Sequence, residues 1–282
     1  MEILTSRQAL ECWVNNERSA GRRLGFVPTM GALHIGHLSL FQTARRECDR
    51  VVGSIFVNPT QFGPNEDYQR YPRTLEQDRA LLGEANCDAL FLPTPQDVYP
   101  AGHQTHVQVG ELASDLCGRC RPGHFQGVAT VVAILFNLVR PHVAYFGLKD
   151  YQQFLVIRQM VQDLAMPLQV TGLPTVREAD GLAMSSRNRY LDVEGRQQAS
   201  ALFRAMEKAQ AAYAGGESDP AHLENVARHV LTEAGLSRID YVAVRDSDTL
   251  APLVRIDKDP VILMAAWVGS ARLIDNRQLV RN

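Results

Sequence analysis

The chain has 282 residues, 45% hydrophobic and 21% charged, a composition that excludes a fibrous repeat or a long disordered tail and leaves room for about two domains. Twenty-nine basic against 31 acidic side chains leave a formal charge of -2, which supplies no global field for a polyanion and argues against nucleic acid as a partner. Five cysteines, an odd number in a chain this long, fit reduced thiols in a cytoplasm better than a disulfide framework. The start, Met1 to Arg7, lacks the basic-then-apolar order of a secretory signal, so a cytoplasmic location is expected.

In chain order, Leu24 to Val27 reads as a first strand running into a glycine-bearing turn and a helix. Val51 to Val57 and Ala89 to Leu92 are apolar runs of strand length, separated by a helical segment, Leu75 to Ala85, with Thr74 as N-cap and Gln77 three residues on. His106 to Val109 alternates like a short strand. Val128 to Val139 is the longest near-apolar run and falls short of the ~20 residues of a membrane span, so it is expected to be a buried helix. His142 to Phe146 and Leu168 to Leu173 are further strands around a helical stretch, Asp150 to Ala165. Continuous apolar strands alternating with helices predict an α/β fold: a Rossmann-like parallel sheet with helices on both faces and its functional loops at the strands' carboxyl ends. After about Thr175 the pattern changes to helices over Val193 to Ala214 and from Pro220 to before Gly235, then strands Ile239 to Arg245, Val261 to Val268 and Arg272 to Asp275. These predict a smaller C-terminal α+β domain over residues 177–282, packed closely on residues 1–176 because no Pro- or Ser-rich linker intervenes.

The segment Pro28-Thr29-Met30-Gly31-Ala32-Leu33-His34-Ile35-Gly36-His37 carries the strongest chemical signal. A Gly-bearing turn entering a helix exposes unpaired backbone N–H groups and the positive end of the helix dipole, a phosphate site. His34 and His37 lie three residues apart and share a helix face, so both can donate to one anion. A P-loop assignment fails because His37-Leu38 stands where Lys and Ser/Thr are required, and the dinucleotide Gly-x-Gly-x-x-Gly pattern is absent. A competing metal site is offered by His103, His106, Cys117 and Cys120, which have the residue types for zinc, although Arg119 and Arg121 beside Cys120 suit phosphate better.

This string resembles the nucleotide-binding signature of the HIGH-type nucleotidyltransferases and, within them, the pantothenate synthetase family. Further blocks resemble it in the same order: Phe56 to Phe62, Tyr71 to Thr74, Arg121 to Phe125, Phe146 to Gln153, and Pro174 to Arg177 with Leu182 to Asn188. The resemblance implies an amide-forming ligase that condenses pantoate with β-alanine, through a pantoyl-adenylate made from ATP, with release of pyrophosphate and AMP. It implies a cytoplasmic homodimer and ATP carried with Mg²⁺, for which Asp78 is the one protein ligand expected.

Under that resemblance His34 and His37 contact the α-phosphate, Lys149 supplies a point charge, and Ser185, Ser186 and Arg187 take the departing pyrophosphate from a lid formed by the second domain. Met30, Gly31, Ala32, Leu33, Ile35, Gly36, Gly147, Leu148, Asp150, Val176 and Met184 complete the nucleotide contacts. Gln61 and Gln153 bind pantoate, Met30 and Phe62 wall its geminal methyls, and Asn58, Tyr71, Arg121 and His124 complete the acid site. Two other classes compete: a cofactor adenylyltransferase, which leaves AMP on its product, and a catalytically silent nucleotide-binding module.

Overall fold

A computed structural model of the chain describes residues 1–64 and 66–281. Two compact units divide it: Met1–Leu148 with Gln153–Pro174, and Lys149–Gln152 with the residues from Thr175 onward. A single boundary at 176/177 therefore does not describe Lys149–Gln152, which group with the C-terminal residues.

The first unit is built on six parallel strands, β1 (Glu2–Leu4), β2 (Leu24–Thr29), β3 (Arg50–Ile55), β4 (Ala89–Phe91), β5 (Val143–Gly147) and β6 (Gln169–Leu173), in the spatial order β1-β4-β3-β2-β5-β6. Helices α1 (Arg7–Ser19), α2 (Ile35–Glu47), α3 (Leu75–Glu84), the short α4 (Pro95–Val98) and α5 (Cys117–Cys120), α6 (His124–Val139) and α7 (Tyr151–Asp163) connect them. Alternation along the central strands sends neighbouring side chains to opposite faces. Val27 of β2 and Tyr145 of β5 enter a core with Leu40, Phe41 and Ala44 of α2 and Leu82 of α3. Phe26 and Phe146, one residue away in each strand, meet Phe136 of α6 edge-on at 6.3 Å on the other side. Helix α6 is buried along most of its length, as its apolar run predicts.

The strand order reverses between β2 and β5, which pair through Gly25 with Val143 and Phe26 with Ala144. Such a switch point opens a crevice at the strands' carboxyl ends, because the connections leaving the two strands diverge there. The chain leaving β2 carries the His-Ile-Gly-His segment, and the chain leaving β5 carries Gly147, so the fold brings both segments to the sheet edge where ligands bind in this architecture.

The second unit contains α8 (Val193–Ala199), α9 (Ala201–Ala214), α10 (Pro220–Glu233) and an antiparallel sheet of β7 (Ile239–Asp246), β8 (Pro260–Val268) and β9 (Ala271–Gln278) in that order. The small residues Ala201, Ala205 and Ala209 on α9 allow close approach to Leu223, Ala227 and Leu231 of α10, and both helices share a core with Val242, Val244, Ile262 and Met264 of the sheet.

Two local expectations do not hold and a third holds in part. The helix predicted over Val193 to Ala214 is broken at Ser200, which ends α8 and starts α9. Thr74 is the N-cap of α3, as expected, but its hydroxyl donates to Asp78 Oδ1 at 3.2 Å instead of accepting a capping hydrogen bond. His106 to Val109 forms no strand, since Val107 N–H donates to Thr130 Oγ1 at 2.9 Å rather than into a ladder. Strand β1 and helix α1 carry too weak a pattern to be predicted: three residues in the strand, and buried apolar positions at only Leu10 and Val14 in the helix.

Candidate active site

At the end of β2, Thr29 Oγ1 donates to Ser54 O at 2.8 Å and accepts the Gly31 N–H at 3.2 Å, closing the strand into a tight turn. Gly31 (φ +80°) and Ala32 (φ +51°) both lie in the left-handed region. A Cβ at Gly31 would also stand a tight 3.0 Å from Ile55 Cγ2 and 3.1 Å from Asp78 Oδ2, so backbone conformation and space both favour glycine there. Ala32 in that region costs about 1–2 kcal/mol, which the surroundings must offset. Asp78 does so. Its buried carboxylate accepts the Ala32 N–H at 2.9 Å on Oδ2 and the Leu33 N–H at 2.8 Å on Oδ1. Asp78, the expected cation ligand, therefore braces the turn: with Thr74 it accepts three hydrogen bonds.

The braced turn delivers His34 as the N-cap of α2, in extended conformation (φ -145°, ψ 174°). Its carbonyl accepts the N–H groups of His37 and Leu38, leaving Ile35 and Gly36 N–H without intrahelical partners. The structure brings the two imidazoles together, with ring centroids 4.1 Å apart and planes tilted by 37°. His34 N–H points to His37 Nδ1 at 3.4 Å, so Nδ1 is the acceptor in that contact. Two half-buried rings and two helix-end amides therefore sit on one turn, a set of groups suited to receiving an anion.

Beyond β3 the chain passes through Phe56 and the fully buried Asn58 into a 3₁₀ turn, Pro59–Gln61. Asn58 Nδ2 donates to Gln61 Oε1 at 3.2 Å and to Gly127 O at 3.1 Å, while Oδ1 accepts the Tyr99 hydroxyl at 2.8 Å and the Thr60 hydroxyl at 3.0 Å. Asn58 is saturated by these bonds and holds the Gln61 amide, whose Nε2 reaches Met30 Sδ at 2.9 Å. Gln61 and Met30, both expected in the acid site, are thus in contact.

The Gln61 backbone is held from the other side. Arg121 donates to both oxygens of Glu66, at 2.6 and 2.5 Å, and to His124 Nε2 at 2.9 Å. Because a guanidinium only donates, His124 Nε2 is the acceptor, and Nδ1–H is left to donate to Gln61 O at 2.8 Å. Burial alone would raise the Glu66 carboxyl; the Arg121 hydrogen bonds and charge outweigh it, and the net shift is downward. Phe62 packs edge-on against Tyr71 at 5.9 Å, an aromatic wall beside this turn. Gln153 lies half-buried on α7. Helix α6 closes on the turn so tightly that a Cβ at Gly127 would stand 2.4 Å from Thr60 O.

In the C-terminal unit, Lys149 is mostly buried, with Nζ 3.9 Å from Asp150 Oδ1, and its carbonyl accepts Asn276 Nδ2 at 2.8 Å. Val176 to Met184 forms a tight hairpin: Met184 N–H donates to Val176 O at 3.0 Å, and Arg177 pairs with Ala183. Ser185 then caps a 3₁₀ turn, Ser186–Tyr190, by accepting the Arg187 N–H at 3.3 Å. This segment is held within its own unit: Asn188 Nδ2 donates to Glu178 Oε1 at 2.7 Å, and Arg196 pairs with Glu178 and Asp180.

Among the described residues, no three His, Cys, Asp or Glu side chains converge to hold a metal ion. His103 and His106 meet edge-on at 5.9 Å, while Cys117 is buried and Cys120 exposed, so the four zinc-type side chains do not assemble. No helix among the described residues is long and apolar enough to cross a membrane.

Sequence reasoning missed the bracing roles of Asp78, Glu66, Gly127 and Tyr99. Each acts on a residue at least 41 positions away, for which no local pattern exists.

Paired imidazoles on a helix end at the switch point of a doubly wound parallel sheet are an arrangement suited to a phosphate-bearing ligand in an α/β enzyme. Comparison with known proteins narrows the class. The family model for pantoate-beta-alanine ligase matches residues 2–278, and the chain belongs to that family of amide-forming ligases. It is 58% identical over 98% of its length, and 95% of the relative's, to a pantothenate synthetase of Magnetococcus marinus. It is 52% identical, over 98% of both chains, to one of Moorella thermoacetica. The crystal structure of pantothenate synthetase from Thermus thermophilus superposes with a TM-score of 0.94 at 49% identity, covering 99% of each chain. That of the pantoate-beta-alanine ligase from Francisella tularensis, complexed with beta-gamma ATP and β-alanine, gives 0.82 at 35%, covering 99% of this chain and 97% of the other.

Proposed function

We propose that the chain makes pantothenate in two steps. A pantoate carboxylate oxygen attacks the α-phosphorus of ATP, the bond to the β-phosphate breaks, and pyrophosphate leaves. The deprotonated amine of β-alanine then attacks the acyl carbon of the pantoyl-adenylate, an amide bond forms, and AMP departs. Neither step needs a covalent enzyme intermediate, so catalysis consists of positioning and of stabilising charge that develops on the equatorial phosphate oxygens.

The reading is carried by the adjacent pair His34 and His37 at the N-terminus of α2. His37 Nε2–H donates to the α-phosphate with His34 beside it, while Lys149 neutralises charge on the phosphates and Ser185, Ser186 and Arg187 receive pyrophosphate. Gly147, Leu148, Asp150, Val176 and Met184 line the nucleotide. Gln61 and Gln153 bind pantoate through neutral amides that do not compete as nucleophiles, with Met30 and Phe62 against its methyls. Asn58, Arg121 and His124 act by holding Gln61, and Tyr71 by backing Phe62. Mg²⁺ would enter with ATP and neutralise phosphate charge, with Asp78, whose carboxylate also accepts the Ala32 and Leu33 amides, as the one protein side chain expected to hold it. A cytoplasmic homodimer is the assembly the family resemblance implies.

The experiment is exchange of labelled pyrophosphate into ATP. Exchange that requires pantoate but not β-alanine, followed by AMP release when β-alanine is added, is the expected result. AMP retained on the product would favour an adenylyltransferase, and no pantoate-dependent exchange would favour a silent nucleotide-binding module.

A further inference from the structure

Strand β9 of the C-terminal unit carries a buried polar pair, Asp275 and Asn276, that no step of the proposed chemistry uses. A carboxylate almost wholly removed from water is costly unless paired, and strands of a small sheet core ordinarily bury apolar side chains there. Asp275 is paired twice over. Both its oxygens accept from Arg177, at 2.7 and 3.0 Å, and Oδ1 also accepts the Asn276 N–H at 2.8 Å. Burial pushes the Asp275 carboxyl up; the Arg177 hydrogen bonds and charge, and the charge of Lys149, pull against that.

Arg177 does not stop at Asp275. Its NH1 donates to Gly181 O at 3.0 Å, and its guanidinium lies 5.0 Å from the centre of the Phe203 ring, so one side chain ties β9 to the hairpin that leads into Ser185, Ser186 and Arg187. From the neighbouring position on the same strand, Asn276 Nδ2 donates to the carbonyl of Lys149 at 2.8 Å. Tyr151 adds a second tie, its hydroxyl donating to Ser247 O at 2.9 Å. Lys149–Gln152, which follow a strand of the first unit in the chain, are thereby grouped with the second.

We propose that Asp275 and Asn276 are positioning residues that hold Lys149 and the Val176–Arg187 segment as one phosphate-handling body, so that the point charge and the pyrophosphate-binding hydroxyls keep a fixed spacing. The catalytic part of this inference rests on the proposed roles of Lys149 and Ser185 to Arg187; the mechanical part does not. The geometry differs from ordinary core packing in that both residues reach out of the sheet to two segments that are separated in sequence and carry the unit's phosphate-type side chains.

The test uses the full chain and two variants. Asn276→Ala removes the bond to Lys149 and leaves Arg177–Asp275 in place; Asp275→Asn removes the charge while keeping shape. Backbone hydrogen exchange is followed by mass spectrometry. Asn276→Ala is expected to speed exchange in the peptide covering 149–152 by about tenfold, the equivalent of one lost hydrogen bond, and to leave α9 and α10 unchanged. Asp275→Asn is expected to speed exchange in the peptides covering both 149–152 and 177–188. Unchanged exchange at 149–152 in Asn276→Ala would overturn the proposal whatever Lys149 does in catalysis.

Kinetics then separate positioning from mere folding. Asn276→Ala should lower the pantoate-dependent exchange rate by about tenfold with little change in the pantoate Michaelis constant, and should have no further effect in a Lys149→Ala background. Full additivity with Lys149→Ala would contradict the positioning role. If Lys149→Ala alone leaves the rate intact while the exchange pattern holds, the reading of Lys149 fails and the mechanical coupling stands.

Discussion

Two buried aspartates, one in each unit, stand behind the segments proposed to handle phosphate and hold them differently. Asp78 accepts backbone N–H groups of Ala32 and Leu33 and so holds the path of the main chain before His34. Asp275 accepts a guanidinium and so holds a side chain, Arg177, that in turn grips the hairpin before Ser185. The first brace opposes local strain, because Gly31 and Ala32 are left-handed. The second balances a charge in a place with little water. Removing the first should release strain along with two amides; removing the second strands a cation.

The contrast makes the Asp275 lesion the larger. Asp275→Ala leaves Arg177 uncompensated and should cost about 3–5 kcal/mol, seen as a lower urea midpoint, whereas restoring neutrality with Arg177→Met in the same chain should recover most of it. No recovery would mean that the pair holds structure through shape and not charge. Asp78→Ala should cost about 2–4 kcal/mol by leaving two buried N–H groups unpaired, and should abolish pyrophosphate exchange even where the fold persists. Full exchange activity in folded Asp78→Ala would show that the turn needs no brace.

Gly127→Ala drives a Cβ into Thr60 O and should cost about 1–3 kcal/mol while raising the pantoate Michaelis constant, since the 3₁₀ turn bearing Gln61 must move. An unchanged constant would place Gln61 away from pantoate. The smallest effect concerns pH. The folded-state pKa of Glu66 lies below its ordinary value of 4.5, so its pairing with Arg121 contributes stability that is present above that value and is lost as pH falls through the lower, folded one. Glu66→Gln should flatten the acid limb of a stability profile; an identical limb would remove Glu66 from the account.

Much of the scaffold was legible because its signals are local. Continuous apolar strands between helices of ordinary period fixed the parallel sheet, and a twelve-residue apolar run announced α6. The imidazole pair was legible for the same reason: three-residue spacing after a glycine turn is a local pattern, and the rings do meet. The break at Ser200 was not, because nothing in the helical periodicity marks it. Nor were the braces. Asp78 reaches Ala32 across 46 residues, Arg121 reaches Glu66 across 55, and Arg177 reaches Asp275 across 98, contacts that arise only when the chain has folded. Asp78 shows how much residue type leaves out: a carboxylate near a phosphate site invites a cation, while its hold on the Ala32 and Leu33 amides is visible only in the fold.

The central claim is that His34 and His37 act together on the α-phosphate, and pantoate-dependent pyrophosphate exchange by His37→Ala measures it most directly. The rate should fall by roughly 10²-fold or more with ATP binding nearly intact, because the lost donor acts chiefly in the transition state. An unchanged turnover number, or a loss confined to ATP affinity, would contradict it.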